Sequence, residues 1–208
     1  MYKLADFTEE DTDKVIDFIK ENSFAIVTGF GDNYPVATHL PLSIEVTENG
    51  KLLLHGHLMK KTDHHLAFER NANVLVVFNG PHTYVSASWY QNPQVASTWN
   101  YMAVHAKGTI KFTDEEGTYK AIKDITNKYE GTNSPAAFDK LPKEYVMKLL
   151  KAIVGFTIEV DSYNNVFKLS QNHSSETRQN ITANLMATGN NQAATIAKEM
   201  DIRKTLNK

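Results

Sequence analysis

The chain of 208 residues contains no cysteine. This excludes disulfides, thiolate metal sites and a cysteine nucleophile, and it suits a reducing compartment. Arginine is nearly as scarce, with only Arg70, Arg178 and Arg203 present. Bidentate reading of guanine falls mostly to arginine, so sequence-specific DNA contact has few tools here. The formal net charge is −2, and no basic surplus draws the chain to nucleic acid. No apolar run is long enough to span a membrane, and the acidic opening MYKLADFTEEDTDK lacks the build of a signal peptide. A soluble, cytoplasmic protein is therefore expected. The Gly-rich turn of a dinucleotide fold, the nucleophile elbow and any internal repeat are missing as well.

What is present alternates strands with helices. Thr8–Asn22 reads as a helix with Val15, Ile16, Phe18 and Ile19 on one face and Thr8 and Asp11 as a capping pair. Phe24–Phe30 and Pro35–Val46 read as strands joined by the turn at Gly31-Asp32-Asn33. Asn49-Gly50 turns the chain into a third strand, Lys51–His57. A short helix over Thr62–Asn71 and an apolar strand over Asn73–Phe78 follow. Further on, Tyr101–Phe112, Ile153–Val160 and Val166–Leu169 read as strands, the last two joined by a turn at Tyr163-Asn164-Asn165. Helices are expected over Glu115–Tyr129, from Leu141-Pro142 to Ala152, and twice beyond Ser174, with a break near Gly189. Early hairpins with inserted helices favour an α+β architecture, a mostly antiparallel β-barrel with peripheral helices. The expected organisation is a barrel domain over 1–173 and a C-terminal helical extension over 174–208, packed on the barrel or on a dimer.

The stretch Gly80–His105 holds both tryptophans, Trp89 and Trp99, together with Tyr84, Tyr90 and Tyr101. It reads as a loop between strands, serving either as a small-molecule site or as a cover for a barrel end. Met59-Lys60-Lys61-Thr62-Asp63 lies between a strand end and a helix start. Two lysines, a hydroxyl and free helix N–H groups make a phosphate seat there, and the alternative is a loop of solvated lysines. His55 and His57 share one strand face, with His39, His64, His65 and Asp63 nearby, but the spacing matches no common zinc motif and no metal is expected. Lys168, Ser170, Gln171 and Asn172 form a polar cluster that either bonds the edge of a heteroaromatic ring or prepares a helix capped by Ser174. The end of the chain, Gln192–Lys208, is locally basic and helical without a helix-turn-helix, so DNA contact has little support.

Six segments together carry a resemblance: ATHLPL (Ala37–Leu42), LHGHL (Leu54–Leu58), VLVVFNGPHTYVSASWY (Val74–Tyr90), TWNYMAVHAKG (Thr98–Gly108), AIVGFTIEV (Ala152–Val160) and FKLSQN (Phe167–Asn172). In this order they resemble the PaiB-type FMN-binding proteins, which have the FMN-binding split-barrel fold shared with pyridoxamine phosphate oxidases. The chain departs from the family in three places. Ala96-Ser97 stands where a proline is common, Lys60 and Lys61 stand where arginine often occurs, and His173 follows KLSQN in place of arginine. The resemblance implies FMN as cofactor and a homodimer with flavin at the subunit interface. It implies that Lys60, Lys61 and Thr62 hold the phosphate and that His39, His57, Trp99 and Asn100 line the flavin. Trp89, Lys168 and Gln171 are further contacts, and no catalytic residue is implied. The function implied is a flavin-binding negative transcriptional regulator of the kind tied to sporulation and protease genes. An FMN-dependent oxidoreductase is the alternative, and a haem-binding split barrel the third reading.

Overall fold

The computed structural model describes residue 1 and residues 4–203, so 204–208 of the expected C-terminal extension lie outside the described residues. Seven strands form one sheet in the order β2-β1-β5-β6-β7-β4-β3. They are β1 (Phe24–Gly29), β2 (Val36–Pro41), β3 (Ser43–Val46), β4 (Leu52–Met59), β5 (Asn73–Val85), β6 (Thr98–Phe112) and β7 (Ile153–Lys168). The helices are α1 (Thr12–Glu21), α2 (Asp63–Arg70), α3 (Glu115–Glu130), α4 (Lys143–Ala152), α5 (Ser175–Ala187) and α6 (Asn191–Ile202). Contacts divide the chain into two compact units. One comprises Met1–Phe18, Asn79–Val104 and Asn164–Lys208, and the other Ile19–Phe78 and His105–Tyr163.

In the second unit, β1 pairs antiparallel with β2 (Ile26 opposite His39) and β3 with β4 (Ser43 opposite His55). β4 pairs in turn with β7, placing His57 opposite Gly155. β2 and β3 are the two edges of the sheet, so it is open. The expected single strand Pro35–Val46 is thus two strands, broken at Leu42. That residue is fully buried, and its N–H donates to the Ser23 carbonyl at 2.9 Å. From α3, Lys128 Nζ donates to the Leu42 carbonyl (3.4 Å) and to Ser23 Oγ (2.9 Å). Val27, Leu54, Phe68, Val76, Phe78, Phe156 and Ile158 fill the core of this unit. A satellite cluster of Ile122, Phe138, Val146 and Leu150 seats α3 and α4.

In the first unit, Val85, Val104, Val166, Phe167 and Leu169 are buried, as are Ile181, Leu185, Ile196 and Met200 of α5 and α6. Ser174 caps α5 and Asn190 caps α6, as their side chains dictate at helix starts. The first helix begins later than its pattern suggests. Asp11 Oδ1 accepts the Asp13 N–H at 3.1 Å and opens α1, whereas the Thr8 hydroxyl donates to the Leu4 carbonyl.

Two further expectations are corrected. Tyr163-Asn164-Asn165 is no turn: β7 runs unbroken from Ile153 to Lys168. The Asn165 amide bonds the Glu9 backbone, accepting its N–H at 2.8 Å and donating to its carbonyl at 3.0 Å, so a distant segment satisfies the side chain that would have made a local turn. The aromatic stretch is also mostly strand, since β5 continues to Val85 and β6 starts at Thr98. Aromatic and β-branched side chains suit a pleated surface, and only residues 86–97 remain as the connection.

Leu42→Ala is expected to cost about 2–5 kcal/mol of unfolding free energy, the range for a fully buried leucine. Lys128→Ala should cost about 1 kcal/mol, the net worth of a hydrogen-bonding group of this kind. Urea denaturation checks both, and a neutral Leu42→Ala would show that the corner does not hold the sheet.

Candidate functional site

β4 alternates buried Leu52, Leu54, Gly56 and Leu58 with partly exposed His55 and His57. A Cβ on Gly56 would lie 2.7 Å from the Phe156 ring, so glycine lets the strand press on the core while both histidines face outward. His55 is engaged, its Nε2 2.8 Å from Glu45 Oε2 and its Nδ1 3.0 Å from Thr157 Oγ1. Burial holds the His57 imidazole below its ordinary pKa. His39, on β2, is exposed, with its ring centroid 6.2 Å from that of Phe24.

β4 leads through Lys60 and Lys61 into α2. Thr62 is the N-cap: its Oγ1 accepts the His65 N–H at 3.3 Å and donates to the Met59 carbonyl at 3.0 Å. Lys61 has φ 66°, the left-handed region, and its N–H donates to His65 Nδ1 at 3.4 Å. Lys60 is tied by its N–H to the Ala152 carbonyl (2.9 Å) and by Nζ to the Leu150 carbonyl (3.3 Å). The junction thus gathers Lys60, Lys61 and Thr62 at a helix start, where partial positive charge favours an anion. Asp63 opposes this charge. The His64 N–H beside it holds its carboxyl below the usual range.

In the first unit, strand alternation separates neighbours. Trp99 is 54% exposed, while Asn100, next to it on β6, is fully buried. Successive side chains on a strand point to opposite faces. Asn100 pairs with Ser170, which has φ 58°, through Nδ2 to Oγ at 3.0 Å, and it reaches Met200 Sδ at 3.6 Å. Lys168 Nζ donates to Thr98 Oγ1 and lies 5.9 Å above the Phe7 ring centroid, and burial lowers its pKa. Gln171 folds back on its own backbone, accepting the Leu169 N–H at 2.7 Å and donating to the Phe167 carbonyl. Lys168, Ser170 and Gln171 therefore bond within the unit. Trp89 lies in a short 3₁₀ turn, its carbonyl accepting from Asn180 Nδ2 at 2.7 Å.

Two residues not counted among the expected site residues, His82 and Tyr84, lie beside Trp99. His82 and Tyr84 alternate on β5, and their rings lie 6.2 and 6.1 Å from Trp99. Their i, i+2 spacing was a readable signal once residues 79–85 are recognised as strand. His173 stacks on Tyr90 at 4.8 Å and 21°, with burial and then the Lys168 charge lowering its pKa. Of two cavities, one of about 640 Å³ is lined by Phe30, Pro35, Val74, Leu75, Lys107 and Asp161 and contains none of the expected site residues. The other, about 610 Å³, includes only Gln171 of that set, beside Glu9, Phe167 and Arg203. Among the described residues, no group of three or more His, Cys, Asp or Glu could hold a metal ion. No helix among them is long and apolar enough to cross a membrane.

Residues 1–162 match the model of the family described as "Putative FMN-binding domain". A Bacillus subtilis (strain 168) protein named "Protease synthase and sporulation protein PAI 2" is 33% identical over 202 residues, covering 97% of each chain. Among solved structures, an FAD and heme binding protein from Mycobacterium smegmatis matches with a TM-score of 0.60 at 15% identity, over 88% of this chain and 80% of that one. The flavocytochrome Anf3 from Azotobacter vinelandii matches with a TM-score of 0.61 at 12% identity, over 80% and 72%. At such identities the likeness is one of fold, the α+β split-barrel class.

Burial lowers the pKa of His57, His105 and His173 alike. The unfolded chain then binds more protons than the folded one just below the ordinary histidine pKa of about 6.5. Stability should be fully present above that pH and fall as pH drops through the depressed folded values. Urea midpoints at pH 7.5 and 5.5 test this. His57→Gln should narrow the gap between them, and an unchanged gap would remove His57 from the account.

Proposed function

This chain belongs to the "Putative FMN-binding domain" family, with FMN as its cofactor, and from that premise we propose that it is a cytoplasmic homodimer binding flavin at the subunit interface as a PaiB-type regulator. The observation that carries the flavin reading is the β4–α2 junction. FMN has a phosphate, a polyol chain and a planar heteroaromatic ring. Lys60, Lys61 and the capped start of α2 suit the phosphate by charge. Exposed Trp99 offers a ring face, and outward-facing His57 and His39 are groups for the polyol or ring edge. Trp89, Lys168 and Gln171 complete the proposed contacts. Asn100 acts from behind, fixing with Ser170 the strand that presents Trp99. Bound FMN supplies reversible one- and two-electron redox chemistry, while the protein's part is to bind and orient it.

The regulatory part is supported by the name of the Bacillus subtilis relative. A second reading, an FMN-dependent oxidoreductase, is favoured by the state of the arginines. Arg70 pairs with Asp32, Arg178 is buried with Nη2 on the Met200 carbonyl, and Arg203 pairs with Glu9. Arg178 and Arg203 are engaged within the protein and Arg70 stands in an exposed surface pair, so base reading has few of its usual side chains.

The purified protein should retain a flavin absorbance band after FMN addition and removal of excess ligand. Lys60→Ala with Lys61→Ala should weaken FMN about tenfold or more, as loss of charge-assisted phosphate bonds requires. Riboflavin, which lacks the phosphate, should be unaffected by that change. Equal affinity of the double variant for FMN would reject the phosphate seat. Salt-dependent shift of a promoter fragment supports the regulator, and bleaching of the flavin by NADH or NADPH supports the oxidoreductase.

A further inference from the structure

We propose that the cavity of about 640 Å³ beside Phe30 is a second ligand site, which takes a small zwitterion with a bulky apolar body, the chemistry of an aromatic or branched amino acid. Its lining belongs wholly to the second compact unit and includes none of the residues assigned above to FMN. The proposal therefore stands apart from the flavin reading.

The cavity lies over the end of β1, the start of β5 and the middle of β6 and β7. One side is apolar, with Phe30 and Pro35 from the turn between β1 and β2 and Leu75 from β5. Phe30 is 64% exposed. Thr28 stands opposite Leu75 in register, and its Oγ1 donates to the Leu75 carbonyl at 3.3 Å. This side is firm. A Cβ on Gly29 would lie 2.7 Å from the Phe68 ring, so the end of β1 closes directly on α2. A Cβ on Gly31 would lie 2.2 Å from the Tyr34 carbonyl, so the turn that carries Phe30 and Pro35 is drawn tight. Small-molecule sites are mostly pre-formed apolar cavities of roughly 300–1,000 Å³ with a few polar groups, and this one has that build.

The polar groups are two opposite charges, Lys107 on β6 and Asp161 on β7, both exposed. Neither side chain has a hydrogen bond or ion pair with another of the described residues. Asp161 adds to the negative field on Lys51, but the Lys51 ammonium is itself paired with Glu159. A neutral apolar ligand would strip water from both charges and pair neither. An anion alone would be repelled by Asp161, and a cation alone by Lys107. A molecule carrying both a carboxylate and an ammonium answers each charge with its opposite. Its apolar body then covers Phe30, Pro35 and Leu75.

The test is calorimetric titration at low salt, where charge pairing is least screened, with L-phenylalanine as the probe. Hydrocinnamate lacks the ammonium, phenethylamine lacks the carboxylate and L-alanine lacks the apolar body. L-Phenylalanine should bind more tightly than each of the three. Lys107→Met should weaken L-phenylalanine about fivefold, the upper range for one exposed ion pair, without weakening phenethylamine. Asp161→Asn should weaken L-phenylalanine and phenethylamine alike and spare hydrocinnamate. Both side chains are exposed, and melting temperature serves as the folding control. FMN affinity should be the same in both variants as in the wild type. Absence of L-phenylalanine binding by the wild type, or binding that neither variant changes, would overturn the proposal. Loss of FMN affinity in either variant would make the cavity part of the flavin site, and dissociation of a dimer in either, read by sedimentation velocity, would give it to a second copy of the chain. Each of those results would overturn the proposal as well.

Discussion

Between β2 and β3 the chain has a single residue, Leu42, in which to leave β1 and join β4. A buried backbone cannot change partners without leaving polar groups to be satisfied. Here the Leu42 N–H goes to the Ser23 carbonyl, and Lys128 reaches in from α3 to the Leu42 carbonyl and to Ser23 Oγ. The leucine side chain fills the corner, and a Cβ on Gly56 would lie 3.1 Å from its Cδ2. The corner therefore sets where β4 runs. That strand ends in the Lys60-Lys61-Thr62 junction, so the proposed phosphate seat depends on packing far from its own charges.

The second constraint is strand alternation. Adjacent residues of one motif, Trp99 and Asn100, cannot serve one ligand face to face. The tryptophan is outside, and the asparagine is a buried partner of Ser170 whose bonds hold that strand in place. The same rule brings His82 and Tyr84, which no local motif joins to Trp99, onto its surface. The connection 86–97 is fastened at several points to the start of α5. Asn180 donates to the Trp89 carbonyl, and His173 lies against Tyr90. Through these contacts the C-terminal helices support the aromatic strands.

Much of this was legible from local chemistry. The hairpin at Asn49-Gly50, where Gly50 takes φ 78°, follows from turn residues between β-rich runs. Thr62, Ser174 and Asn190 announce helix starts through side chains that accept backbone N–H groups. The antiparallel α+β class follows from hairpins without crossover units. Failures of the reading have one cause. Asn164-Asn165 has turn composition, yet Glu9 supplies partners from 156 residues away in sequence and the strand continues. Pro35–Val46 has unbroken strand composition, yet it divides because two different strands compete for its halves.

The sequence by itself determined which groups are present: no thiol, three arginines, two tryptophans, a pair of lysines before a helix cap, and motifs sufficient to identify a flavin-binding family. Those are properties of composition and of neighbours along the chain. Tertiary structure alone decided which of them are available. Arg178 is buried against Met200, Gln171 bonds its own backbone, Asn100 turns inward, and Trp99 gains two aromatic companions from another strand. The physical reason is that availability is set by the hydrogen bonds and packing a side chain finds on folding, and those partners are distant in sequence.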